Sequence, residues 1–132
     1  MRWKKNYLFL LFVLFAFASC KKNKDADVTP SFDYRINNIQ DITYDYNSGN
    51  TLPLEVLYVS GNQEHVTLQI TGVPTGVVAS LSSSTGIPTF NTILTIRNDF
   101  PNDPATGSYP ITITATSPSI SAKTYTFNLI VP

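Results

Sequence analysis

An all-β sandwich of about seven short strands, preceded by a cleaved signal helix, is the architecture predicted for this 132-residue chain. Three observations carry that prediction. From Phe32 onward, apolar and polar residues alternate with a period of two in run after run, the pattern of strands with one buried face. Between the runs stand clusters of Gly, Pro, Asn, Asp and Ser, which favour turns. No stretch beyond Cys20 places apolar residues at helical spacing, so the remaining hundred or so residues have to build their core between sheets. That length supports one domain.

The chain opens with Arg2, Lys4 and Lys5, and an unbroken apolar run of twelve residues follows from Tyr7 to Ala18. A helix that spans a bilayer needs about 20 residues. A basic start, a short apolar run and small residues at its end describe a secretory signal instead. Residues 1–19 are expected to leave, with the cut between Ser19 and Cys20. Residues 20–30 have no apolar period, and Lys21, Lys22, Lys24, Asp25 and Asp27 dominate them before Pro30. They read as a disordered tether.

The domain is expected over residues 31–132. Phe32, Tyr34 and Ile36 alternate with Asp33 and Arg35, and Asn37-Asn38 breaks the run. Ile42, Tyr44 and Tyr46 form a second inward series, closed by the turn residues Asn47-Ser48-Gly49-Asn50. Leu52 to Ser60 is a longer strand with Leu54, Val56 and Tyr58 inward. Val66, Leu68 and Ile70 lead the next. A strand through Val77, Val78, Ala79 and Leu81 precedes a Ser-rich segment, residues 82–88, expected to be a flexible loop. Thr92 to Asn98 is a strand centred on Ile93-Leu94-Thr95-Ile96. Residues 98–107 form a long turn-rich connection. Tyr109, Ile111, Ile113 and Ala115 alternate next, then Tyr125, Phe127, Leu129 and Val131. Pro110 cannot donate to a ladder, so it belongs at a strand start or opposite a gap.

Charge and cysteine usage narrow the function. The formal net charge is zero, but from Ser31 onward only Arg35, Arg97 and Lys123 are positive, against seven acidic residues. A domain of net charge −4 without a basic patch is not built for nucleic acid, where phosphate neutralisation needs clustered Lys and Arg. Cys20 is the one cysteine, which rules out an intrachain disulfide. Packing alone has to hold the domain.

Two resemblances add to this reading. Phe17-Ala18-Ser19-Cys20 resembles the lipobox of bacterial lipoproteins, with Phe17 standing where that motif usually has leucine. The resemblance implies acyl chains on Cys20 and a lipid anchor in the bacterial outer membrane, with the domain facing either the periplasm or the cell surface. Each buried methylene contributes about 0.8 kcal/mol, and two acyl chains hold where one does not. Further on, Gly72-Val73-Pro74-Thr75-Gly76-Val77 and Gly107-Ser108-Tyr109-Pro110-Ile111-Thr112-Ile113-Thr114-Ala115-Thr116 resemble the bacterial immunoglobulin-like domains, over roughly Leu52 to Val131. That resemblance implies an immunoglobulin-like sandwich in which Tyr109 is the structural tyrosine corner. Ile111 stands where antibody domains carry a disulfide cysteine, and the only tryptophan, Trp3, lies in the leader.

Chemistry-bearing residues are sparse. His65, the only histidine, sits beside Glu64 at a turn-to-strand junction and reads as an exposed turn residue rather than a general base. Asp99, Asn102 and Asp103 lie close enough in sequence to offer calcium several oxygens, although Asn, Asp and Pro are also ordinary turn residues. Asp41 and Asp45, four apart on a strand, share an outer face and read as solvated rather than as a glycosidase pair. Tyr44, Tyr46 and Tyr58 are expected in the core; exposed, they would form a platform for sugar rings. No catalytic residue and no cofactor is expected. The function expected is non-enzymatic interaction or presentation by a lipid-anchored envelope protein. The alternative is a glycan-binding accessory of a polysaccharide-uptake system.

Overall fold

The strand order sorts the alternating runs into two sheets. The structure, a computed structural model, describes residues 30–132; the signal and most of the tether, with Ser19 and Cys20, lie outside the described residues. The strands are β1 (Asp33–Asn37), β2 (Ile42–Thr43), β3 (Asn50–Ser60), β4 (Val66–Thr71), β5 (Val77–Leu81), β6 (Thr85–Gly86), β7 (Phe90–Asn98), β8 (Gly107–Thr116) and β9 (Lys123–Val131). One sheet has the order β1-β3-β7-β5 and the other β2-β9-β8-β4-β6. Seven long strands split four and three, plus the two-residue β2 and β6, give the strand order of an immunoglobulin-like sandwich. Neighbouring strands are antiparallel except β2, which runs parallel to β9.

The period-two pattern is what closes the core. Leu52, Leu54 and Val56 of β3 and Leu94 and Ile96 of β7 face Ile111, Ile113 and Ala115 of β8 and Phe127, Leu129 and Val131 of β9, all of them buried. Tyr34 crosses the gap between sheets, and its hydroxyl donates to the Ala115 carbonyl at 2.9 Å. That bond satisfies the one polar atom of a fully buried side chain.

Proline placement follows from the ladders. β4 ends at Thr71, opposite Thr112, so Pro110 lies past its end and leaves no carbonyl without a donor. Pro53 lies likewise beyond the end of β1, which stops at Asn37 opposite Glu55. The two glycines of the Gly72–Val77 motif are forced by close approach. A Cβ on Gly72 would stand 2.3 Å from the Pro110 carbonyl oxygen, and one on Gly76 2.5 Å from the Pro104 nitrogen. Both have φ above +80°.

Two sequence expectations need correction. The strand expected through Ile42, Tyr44 and Tyr46 ends as a ladder at Thr43, with one further bond from Tyr44 N–H to the Ile130 carbonyl (2.8 Å). Asp45 stops it: its carboxylate accepts the N–H groups of Asn47 and Ser48 and the Ser48 hydroxyl, and its carbonyl accepts the Gly49 N–H. The Ser-rich segment 82–88 is a tied connection rather than a flexible loop. Thr92, a polar side chain buried in the core, donates to the Ser83 carbonyl and accepts the Ser83 N–H, at 2.8 and 3.0 Å. Ser82 Oγ accepts the Ile93 N–H at 2.8 Å, and β6 forms within the same segment.

Candidate functional site

The antiparallel strands collect the connections at two ends, and the exposed aromatic residues lie at one of them. That end holds the β2–β3 turn, the β4–β5 loop and the β7–β8 connection. Asp99 N–H donates to the Gly76 carbonyl at 3.0 Å, and the Tyr46 hydroxyl reaches the Pro104 carbonyl at 3.5 Å, so the three connections meet. The chain enters at the opposite end, where Phe32 packs against Gly61 of the β3–β4 turn.

Phe100 projects from the first end with 84% of its surface exposed, and Tyr46 is 40% exposed. Tyr46 meets the ring of the buried Tyr44 edge-on, with centroids 4.9 Å apart. The Tyr44 hydroxyl has no protein hydrogen-bond partner, and burial pushes its pKa up. Asp45, Asn47 and Ser48 flank Tyr46 in the chain and Asn102 and Asp103 follow Phe100, all exposed. Aromatic faces ringed by amides and carboxylates can stack on and hydrogen-bond a sugar ring.

The three tyrosines therefore separate. Tyr44 is in the core as expected. Tyr58 is half-buried at the opposite end, where its hydroxyl donates to the Gly61 carbonyl at 2.7 Å. Tyr46 departs from the inward expectation because the chain leaves the ladder before it. Phe100 was not singled out from the sequence. Its signal is there: a lone aromatic in Asn-Asp-Phe-Pro-Asn-Asp-Pro has no alternating apolar neighbour to bury it with.

The remaining candidates are dispersed. Asp99 and Asn102 close a tight turn, with Asn102 N–H donating to the Asp99 carbonyl at 2.9 Å. The Asp103 carboxylate accepts from the Asn98 amide at 3.0 Å. Among the described residues no three His, Cys, Asp or Glu side chains gather as a metal site. Asp41 accepts the Asn128 N–H at 2.7 Å and covers the β9 edge, while Asp45 caps its own turn. The two carboxylates hold different backbone segments, not a shared outer face. His65 is exposed, and Glu64 beside it accepts the Ser119 N–H at 3.1 Å. The Tyr109 hydroxyl donates to the Ala105 carbonyl at 2.9 Å, four residues back, and so pins the start of β8 to the connection before it.

One charged cluster joins β1 to β9. Lys123 Nζ pairs with the Asp33 carboxylate, donates to the Tyr34 carbonyl, and lies 4.9 Å from the centre of the Tyr34 ring. The lysine hydrogen bond holds the Asp33 carboxyl below its usual range. Burial, with lesser contributions from Tyr125 and Asp33, pushes Tyr34 above its own.

The class of fold is thus an immunoglobulin-like sandwich with an aromatic loop end. No family model and no curated protein sequence matches the chain. Among solved structures the chain is similar to domains 4 and 5 of the S-layer protein SbsC, at 19% identity and a TM-score of 0.48, covering 79% of this chain and 52% of that one. It is also similar to the surface layer protein SbsC, domains 1–6, at 19% identity and a TM-score of 0.49, covering 78% of this chain and 13% of that one. The chain therefore spans about half the length of the first structure and a smaller share of the second.

Proposed function

We propose that this chain is a lipid-anchored protein of the bacterial cell envelope, whose immunoglobulin-like domain serves interaction or presentation and carries no catalysis. The observation that supports the anchor most is the order of parts in the sequence: a basic start, twelve apolar residues, Phe17-Ala18-Ser19-Cys20, then a polar tether. Two acyl chains on Cys20 would supply firm attachment. The dispersal of His65, Asp41, Asp45 and Glu64, with His65 exposed and each of these carboxylates engaged with backbone, supports the non-enzymatic reading. Labelling cells with a palmitate analogue tests the anchor. The full chain is expected to take up label and fractionate with the outer membrane, and Cys20→Ala to lose both. Uptake of label by Cys20→Ala at the native level would sink the proposal. Protease shaving of intact cells then separates a domain facing outward from one facing the periplasm.

A second reading, a glycan-binding accessory, is favoured by Phe100 and Tyr46. These two exposed rings sit among amides and carboxylates at the end of the domain away from the chain entry. Strands of nine to eleven residues, β3 and β7, separate the two ends by about 30 Å. Calorimetry with the sugars of co-expressed transport or glycosidase genes checks this. Binding that survives Phe100→Ala and Tyr46→Ala together would discard the site.

A further inference from the structure

Edge strands expose main-chain donors and acceptors, and natural sheets blunt them with charges, proline, bulges or short length. Four strands are edges here. β2 and β6 have two residues each, and β1 carries Asp33 and Arg35 and an irregular register at Asp33/Tyr34. β5 differs. It reads Val77-Val78-Ala79-Ser80-Leu81, five residues without charge or proline, in unbroken register with β7.

The phase of the ladder shows which groups face outward. Ser82 N–H donates to the Ile93 carbonyl and Asp99 N–H to the Gly76 carbonyl, at 2.9 and 3.0 Å. Both bonds continue the β5–β7 register, so Gly76, Val78, Ser80 and Ser82 turn their main-chain groups toward β7. In an antiparallel ladder the residues between them turn theirs away. Val77, Ala79 and Leu81 therefore aim at the open edge. The Val77 N–H is already taken by the Pro74 carbonyl at 3.2 Å. What remains is an acceptor at 77, a donor and an acceptor at 79, and a donor and an acceptor at 81.

That series is complementary to itself under a two-fold axis at Ala79. A second antiparallel copy pairs Ala79 with Ala79, giving two bonds. Each Leu81 N–H then meets the other copy's Val77 carbonyl, giving two more. The Val77 N–H stays with Pro74, so each Leu81 carbonyl at the ends of this register is left to solvent and the ladder closes with four bonds. Val78, 45% exposed, comes to lie across from Ser80 of the other copy, and the half-buried Ala79 and Leu81 gain cover on the core side. We infer that β5 is a self-association edge: two copies of this chain pair through it, antiparallel about Ala79, and join their four-stranded sheets into one. A two-fold contact of this kind closes on itself and does not propagate into fibres.

The register makes the test specific. Positions 78 and 80 of opposite copies form a non-hydrogen-bonded pair, with Cβ atoms about 4.5–5.5 Å apart and within disulfide reach after a small adjustment. Full-length Val78→Cys and Ser80→Cys chains with different tags are produced together, oxidised in their membranes and digested. Mass spectrometry is expected to find a peptide joining 78 to 80, while Val78→Cys produced with itself gives no 78–78 peptide. Adding Ala79→Pro to both chains removes the two central donors without touching the β7 ladder, and is expected to lower the yield about tenfold. Absence of the 78–80 peptide, an equal yield of a 78–78 peptide, or Val78→Cys trapped on a different envelope protein each overturns the inference. The readout is residue-specific, so a disulfide through Cys20 would count against the lipid anchor and leave this test intact.

Discussion

Tyr34 and Tyr44 show how one residue type takes two roles a few positions apart. Both are inward residues of alternating runs and both are buried. The Tyr34 hydroxyl reaches the Ala115 carbonyl across the sandwich, whereas the Tyr44 hydroxyl has no protein partner. Tyr34→Phe is expected to lower unfolding free energy by about 1–2 kcal/mol, because it leaves a carbonyl in the interior short of a donor. Tyr44→Phe removes a hydroxyl that satisfies nothing in the protein, and stability should stay within about 0.5 kcal/mol of the native chain. Urea titration of both variants compares them directly, and equal losses would contradict this account. Burial of both rings was legible from periodicity. The partner of the hydroxyl was not, because Tyr34 and Ala115 lie 81 residues apart and only the stacking of the sheets brings them together.

At the scale of elements, the long strands were legible and the short ones were not. β3, β4, β7, β8 and β9 follow from alternation because one face of each is buried, and burial is what alternation records. β2 and β6 have two residues each, too few for a period to show. The series Ile42, Tyr44, Tyr46 looked like a strand because its spacing is right, yet the Asp45 side chain competes for the backbone and turns it. Residues 82–88 looked loose because serine and glycine favour turns. Thr92, on another strand, is what ties them down. Thr92→Val keeps the shape of that side chain and removes both bonds to Ser83, so the loss should be about 1–3 kcal/mol. Faster amide exchange at Ser83 is the local signature to measure. A Thr92→Val domain with native stability and native exchange there would mean that the segment holds itself.

For the whole molecule, charge patterning and loop placement carry different amounts of information. The acidic balance of the domain was legible by counting, and it bears on partners. The aromatic loop end was not legible, because Tyr46 and Phe100 lie on connections separated by β3 to β7, and only the sandwich topology brings those connections to one end. The pairing of Lys123 with Asp33 was hidden for the same reason, and it sets part of the pH response. The Asp33 carboxyl titrates below its usual range, chiefly through the Lys123 hydrogen bond. Its contribution is therefore fully present above the unfolded value, about 3.9, and is lost as pH falls through the lower folded value. Asp45, held low by the Ser48 hydroxyl and the turn N–H groups, acts in the same direction. Tyr34 and Tyr44 work at the other limit. Burial raises both above 10.0, so their neutral forms favour the folded state below that value, and stability falls as pH rises past it. Urea midpoints across pH should thus show a plateau from about pH 5 to 9 with a falling limb on each side. Asp33→Asn should lower the plateau and flatten the acid limb, and Tyr34→Phe should flatten the alkaline one. An acid limb of unchanged slope in Asp33→Asn would remove the Lys123 pair from the account and leave Asp45 to explain it.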